Sequence, residues 1–207
     1  MSNRFRLPLP ILLPVTTLIA VAVLMTGCFS DDQSWRSKDI SGLMPELAFE
    51  LTDTSGETIT ADETDGEIRM VFFGFTHCPD VCPTTLQKLS RAVKDMPAEF
   101  QEETRIVFIS VDPGRDTPER IRSYVDFFSE RAIGLTGEEQ ALRKLSKRYR
   151  TTFGYDDPDE EGNYNVSHSG AVYVFDREGD ARLLFRPELS VEDIRADLVT
   201  LAEESRT

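Results

Sequence analysis

Two stretches of this chain are apolar almost without interruption: residues 68–75 (Ile-Arg-Met-Val-Phe-Phe-Gly-Phe) and 105–111 (Arg-Ile-Val-Phe-Ile-Ser-Val). Strands buried on both faces read this way, and they belong to sheets covered by helices. A helical pattern follows each run. Pro83 suits a first helical turn, where its missing N–H costs nothing. Leu86, Leu89 and Val93 then recur on one face up to about Met96. Thr117-Pro118-Glu119 opens a second helix whose apolar side is Ile121, Tyr124, Val125 and Phe128.

Further on, the pattern predicts a short strand over 132–135 and a helix over 138–149. A hairpin of 171–176 and 181–185 follows, turning at Arg177-Glu178-Gly179, and Ser190 caps a closing helix. Ahead of all this, residues 45–51 and 57–60 read as a hairpin about Ser55-Gly56. This is the order of an α/β thioredoxin-like fold, with a central mixed sheet flanked by helices and an N-terminal β-hairpin extension. The two apolar runs should be parallel neighbours joined by a right-handed crossover. Residues 44–207 suit one domain with one core, and the polar residues 29–43 read as a flexible tether.

Residues 1–28 decide the compartment. Arg4 and Arg6 precede an uncharged, mostly apolar run over 7–25, and Gly27-Cys28 follows. A charged start, an apolar segment and a small residue at a cleavage point make an export signal. Leu24-Met25-Thr26-Gly27-Cys28 resembles the lipobox of bacterial lipoproteins, in which the cysteine is lipidated, although Met25 stands where that motif usually has Leu. An uncleaved membrane anchor is the competing reading, since about 20 apolar residues span a bilayer; a plain signal peptide is the third. All three place the domain outside the cytoplasm, in the bacterial cell envelope, and the first two tether it to the membrane. Beyond residue 28 the chain carries 21 basic and 37 acidic side chains, a net −16. That argues against nucleic acid and anionic lipid headgroups as partners.

The third cysteine aside, the folded part holds one pair of thiols, in Phe75-Thr76-His77-Cys78-Pro79-Asp80-Val81-Cys82-Pro83. Cys78 and Cys82 fall at the carboxyl end of a central strand, where open α/β sheets place their sites. Cys82 is expected at or next to the helix N-cap, where the free N–H groups favour a thiolate. As a disulfide the pair would close a very short loop, which adds little stability, so an inert staple explains it poorly. It can bind a soft metal, cycle between dithiol and disulfide, or do both. His77 reads as structural or solvent-facing. His168, in Asn165-Val166-Ser167-His168-Ser169-Gly170, falls where this fold packs a loop against the cysteines. Two thiolates and an imidazole suit Cu(I), Cu(II) or Zn(II); soft sulfur favours copper, with zinc second. Asp112 and Asp116 are too hard to share a copper with two thiolates, and residues 116–119 read as helix-start chemistry. The acidic run 156–161 reads as a solvated loop. A peroxiredoxin reading fails, because neither cysteine has Thr three and Pro seven residues before it.

Residues 74–86, from Gly74-Phe75-Thr76-His77-Cys78 through Cys82-Pro83-Thr84-Thr85-Leu86, resemble the signature of the Sco/SenC family of copper-binding assembly proteins. Ser110-Val111-Asp112-Pro113-Gly114-Arg115-Asp116-Thr117-Pro118-Glu119 is similar to that family's acidic loop, and residues 166–170 to its histidine segment. The resemblance implies a membrane-tethered domain binding one copper ion through Cys78, Cys82 and His168. It further implies a role at the dinuclear copper centre of cytochrome c oxidase subunit II, or in another copper protein, served by a thiol reductant. The role would be metallochaperone or, alternatively, thiol–disulfide oxidoreductase reducing the cysteines of the apo target. Ser167 stands where many members have Asp.

Overall fold

The computed structural model describes residues 34–204; the readings of residues 1–28, Cys28 included, lie outside the described residues. In chain order the strands are β1 (Lys38–Asp39), β2 (Glu50–Asp53), β3 (Thr58–Thr60), β4 (Ile68–Gly74), β5 (Thr104–Ser110), β6 (Ala132–Thr136), β7 (Phe153–Tyr155), β8 (Val166–His168), β9 (Val172–Phe175) and β10 (Ala181–Phe185). The helices are α1 (Val81–Lys94), the single turn α2 (Ala98–Gln101), α3 (Pro118–Phe128), α4 (Glu139–Arg148) and α5 (Val191–Glu204).

The two apolar runs are β4 and β5. They pair in parallel along their whole length, Ile68 opposite Thr104 and Gly74 opposite Ser110. β6 continues the parallel set beside β5, and β9 lies antiparallel on the other side of β4. The full sheet is mixed, in the order β1-β10-β9-β4-β5-β6-β2-β3. Every residue of β4 is buried, and Phe72, Phe73, Phe108 and Ile106 form the middle of the core. Each large apolar side chain buried there contributes roughly 1.5–3 kcal/mol against exposure. The caps fall where the sequence puts them: Thr117 accepts from Arg120 N–H, with Pro118 opening α3, and Ser190 Oγ accepts from Asp193 N–H before α5.

Three features depart from the sequence reading. The N-terminal hairpin is displaced, its strands being Glu50–Asp53 and Thr58–Thr60. Asp53 nucleates its turn by accepting from Ser55 N–H, Ser55 Oγ and Glu57 N–H. Leu47 and Phe49 are buried as their pattern suggests, but the backbone there bonds elsewhere, Leu47 N–H to Gly179 O and Ala48 N–H to Tyr149 OH. Second, part of the stretch read as a tether packs on the domain. Lys38 and Asp39 pair with Leu184 and Leu183, and Ile40 is buried. The buried Asp197 carboxylate holds Arg36 N–H, Ser37 N–H and Ser37 Oγ. A polar segment held by a distant carboxylate leaves no hydrophobic period to read. Third, β7 and β8 form a separate two-stranded sheet, with Phe153 opposite His168.

Candidate metal centre

The site is built where β4 gives way to α1. Beyond Gly74 the chain turns, Cys78 N–H donating to Phe75 O at 3.3 Å, and Cys82 N–H points at Cys78 Sγ at 3.4 Å. The N-cap residue is Asp80, so Cys82 sits inside the first turn of α1, two residues past the cap. Cys82 is fully buried and Cys78 partly exposed. That depth overrules the helix N-terminus. Burial pushes the Cys82 thiol well above its ordinary range, and the opposing Phe75 N–H only moderates the effect. Before any metal arrives Cys82 is therefore a thiol rather than the expected thiolate.

His168 is the last residue of β8, and the pairing with β7 brings it over the cysteines. Its Nδ1 lies 3.0 Å from Ser169 O. A carbonyl can only accept, so Nδ1 carries the hydrogen and Nε2 presents a bare lone pair. Nε2 is 3.4 Å from Cys82 Sγ, whose S–H donates to it. Phe72 and Phe75 meet the ring edge to face, with centroids at 5.9 and 5.5 Å. Burial lowers the imidazole's basicity against the smaller, opposing pull of the Ser169 and Phe73 backbone bonds, which favours the neutral, ligating form. One donor atom from each of Cys78, Cys82 and His168 falls within 4.8 Å of the other two. Ser167, beside the histidine, donates from Oγ to Gly154 O instead of reaching the ring.

A family model described as SCO1/SenC matches residues 43–203. The chain belongs to the SCO1/SenC family. It is 35% identical over 163 residues to a Stutzerimonas stutzeri protein whose name refers to copper binding, spanning 79% of this chain and 78% of that one. The crystal structure of Arabidopsis thaliana ScoI with copper bound superposes with a TM-score of 0.71 at 30% identity, covering 77% of this chain and 98% of that one. Bradyrhizobium japonicum ScoI with copper bound gives 0.68 at 34% identity, over 75% and 98%.

In this SCO1/SenC domain a second cluster lies beside the first, and the sequence reading undervalued it. In sequence Asp116 reads as helix-start chemistry, yet its buried carboxylate reaches the loop that precedes Cys78. Oδ2 accepts from Thr76 N–H at 2.8 Å and Ser110 Oγ at 2.6 Å, and Oδ1 from Thr76 Oγ1 at 2.6 Å. It thus ties the loop after β5 to the residue two before Cys78. Asp112 accepts from Arg115 Nε and from Tyr164 OH, both at 2.6 Å. Arg115 also donates to Tyr164 O and stacks 3.7 Å over its ring. The same loop is thereby locked to the segment leading into β8 and His168. His77 is exposed, with Arg120 donating to its Nε2 at 2.6 Å and its Nδ1 3.4 Å from Asp116. His77, Asp112 and Asp116 are close enough together to hold a cation. Their carboxylate oxygens already receive protein donors, so the cluster serves as a brace between the two loops that carry the thiols and the imidazole. The signal in the sequence was a pair of acids flanking Arg115 between an apolar strand and a Thr-Pro cap.

Proposed function

We propose that this protein binds one copper ion through Cys78, Cys82 and His168 and serves as a metallochaperone for an apo copper protein. The dinuclear copper centre of cytochrome c oxidase subunit II is the target that family resemblance names. The observation that carries the reading is the convergence of two sulfurs and a bare imidazole nitrogen within 4.8 Å. Soft sulfur with imidazole fits copper, and the family's copper-bound relatives support that choice over zinc. Copper here is cargo. The residues supply its cradle: Ser169 O fixes the tautomer, Phe72 and Phe75 hold the ring, and partly exposed Cys78 is the entry point. A second reading rests on the same geometry. The two thiols are close, one of them accessible, so the pair can pass two electrons and two protons to a target disulfide as thiol–disulfide exchange requires.

Titration of the reduced protein with Cu(I) against a competing chelator tests the proposal. One tight equivalent is expected, lost in Cys78→Ala and in Cys82→Ala. Binding must expel the proton that burial keeps on Cys82, so apparent affinity rises with pH, about tenfold per pH unit for each proton released. A stoichiometry of zero, or an affinity flat from pH 6 to 8, would refute the site.

We also propose that residues 1–28 tether the domain to the membrane on the extracytoplasmic side through lipidated Cys28. Fractionation of cells expressing Cys28→Ala should find the protein released from the membrane. Retention there would favour an uncleaved apolar anchor instead.

A further inference from the structure

Between α1 and the strand ends beside it lies an apolar pocket of about 180 Å³ that the three proposed ligands do not line. Its walls are Val81, Thr84 and Leu89 from α1, Val172 from β9, Pro187 after β10 and Ile194 from α5. Leu89, Val172 and Ile194 are buried, whereas Val81, Thr84 and Pro187 are exposed and form the mouth. The pocket is preformed. Lys88 Nζ donates to Pro187 O at 2.7 Å and to Leu189 O at 3.2 Å, which ties the chain after β10 to α1. Gly170 lines the pocket too, and a Cβ there would meet Pro187 Cγ at 2.8 Å and Val81 Cγ1 at 3.3 Å. A residue without a side chain is what lets these two walls approach.

Val81 immediately precedes Cys82, and Gly170 lies two residues beyond His168. Among the described residues three large apolar side chains are exposed: Leu43, Val81 and Phe127. Two of them adjoin the thiols, Val81 directly and Phe127 through a groove it shares with His77, the neighbour of Cys78. Exposed apolar surface rimmed by polar groups marks an interaction site. Copper can pass to another protein only if that protein's own ligands reach the centre. An interface of ordinary size covers about 800 Å² on each partner, so an acceptor touching Cys78 also covers this mouth. Charge gives the acceptor's character. The loop between β7 and β8, leading to His168, exposes Asp156, Asp157, Asp159, Glu160 and Glu161 with no base among residues 156–161, and Asp80 is exposed at the pocket itself. Against them stand Arg186 on the rim and Lys88, whose ammonium is already engaged. We infer that the pocket receives one apolar side chain of the copper-accepting protein, of leucine, methionine or phenylalanine size, carried on a positively charged surface beside that protein's copper ligands. The size follows from the volume, since an apolar cavity of roughly 150 Å³ takes a benzene-sized group. The buried anchor supplies affinity, and the charges steer and orient the encounter.

This inference rests on the delivery reading above. Its test is copper transfer from the Cu(I)-loaded protein to the reduced apo copper domain of cytochrome c oxidase subunit II, the target already named. Two variants are compared with wild type: Thr84→Phe fills the pocket, and Val81→Thr makes its mouth polar with little change of volume. Chelator titration should give wild-type copper affinity for both, since neither residue is a ligand. The acceptor concentration at half-maximal transfer rate should rise at least about tenfold in Thr84→Phe, the effect of losing one anchor side chain, and by less in Val81→Thr. Added salt should raise it for all three proteins, because screening weakens the attraction between an acidic and a basic surface. Wild-type half-saturation in both variants would refute this inference alone. Half-saturation indifferent to salt would overturn the basic character of the acceptor. Copper affinity lowered in both variants would assign the pocket to the metal centre itself. Wild-type dimers that Thr84→Phe dissociates would give it to a second copy of this chain. Wild-type protein that binds copper but passes none to the acceptor would refute the delivery reading, and this inference with it.

Discussion

His168→Ala should abolish most of the copper affinity while leaving the Cys78–Cys82 dithiol–disulfide couple in working order. Nε2 is the only nitrogen in the cluster, and its lone pair is held toward Cys82 by the bond from Nδ1 to Ser169 O. Losing a partner outside the ligand set typically costs 10- to 100-fold in metal affinity; losing a ligand should cost more. The cysteines are positioned independently of the ring, Cys78 by its turn onto Phe75 O and Cys82 by the first turn of α1. Their capacity to form a disulfide therefore survives the substitution. Chelator competition gives the first quantity, and equilibration with a dithiol buffer of known potential gives the second. Wild-type-like copper affinity would remove His168 from the ligand set. A couple lost together with copper would mean that the imidazole organises the thiols as well. An active reductase with no copper phenotype would shift the weight to the oxidoreductase reading.

The frame of this molecule was legible because burial writes itself into periodicity. β4 and β5 announce themselves as unbroken apolar runs, and the helices after them carry one apolar face and a recognisable first turn. The proposed ligand set was legible for a different reason: only two cysteines and two histidines fall beyond residue 28, and one of those histidines lies 3.4 Å from Cys82 Sγ. What stayed hidden is bonding between residues distant in sequence. Asp116 looks like any acid at a helix start until Thr76, 40 residues earlier, is seen donating to it twice. Asp197, buried on the closing helix, anchors Arg36 and Ser37, which lie 161 and 160 residues earlier. The β7–β8 ribbon is three residues a side, too short to leave a period. For Cys82 the sequence shows the helix N-terminus, which favours a thiolate, and conceals the depth, which disfavours one. Gly74 belongs to the same hidden class. In a strand a glycine looks like a weakness, when here it is a space reserved for sulfur.

That reserved space sets the second large effect. Gly74→Ala should destabilise the domain and damage the copper site together. The added Cβ would stand 2.7 Å from Cys82 Sγ and 2.8 Å from Phe108 Cε2, closer than unbonded carbon and sulfur approach. Neither neighbour yields cheaply. Cys82 is fixed by the backbone of α1, and Phe108 is a fully buried residue of β5. Overpacking by one carbon in such a core costs typically 1–3 kcal/mol, visible in chemical unfolding as a lower midpoint. The sulfur must also leave the position from which it meets His168, so copper affinity should drop by at least tenfold. Adding Phe108→Leu separates the two consequences. It gives the new methyl room on the ring side and should restore part of the stability. It leaves the clash with the sulfur in place, so copper affinity should not recover. If affinity returned along with stability, the loss would belong to general loosening of the core, and Gly74 would have no specific part in seating the ligand. If Gly74→Ala were silent in both measurements, Cys82 would have to be free to move, and a site held to one geometry by its backbone would be the wrong picture.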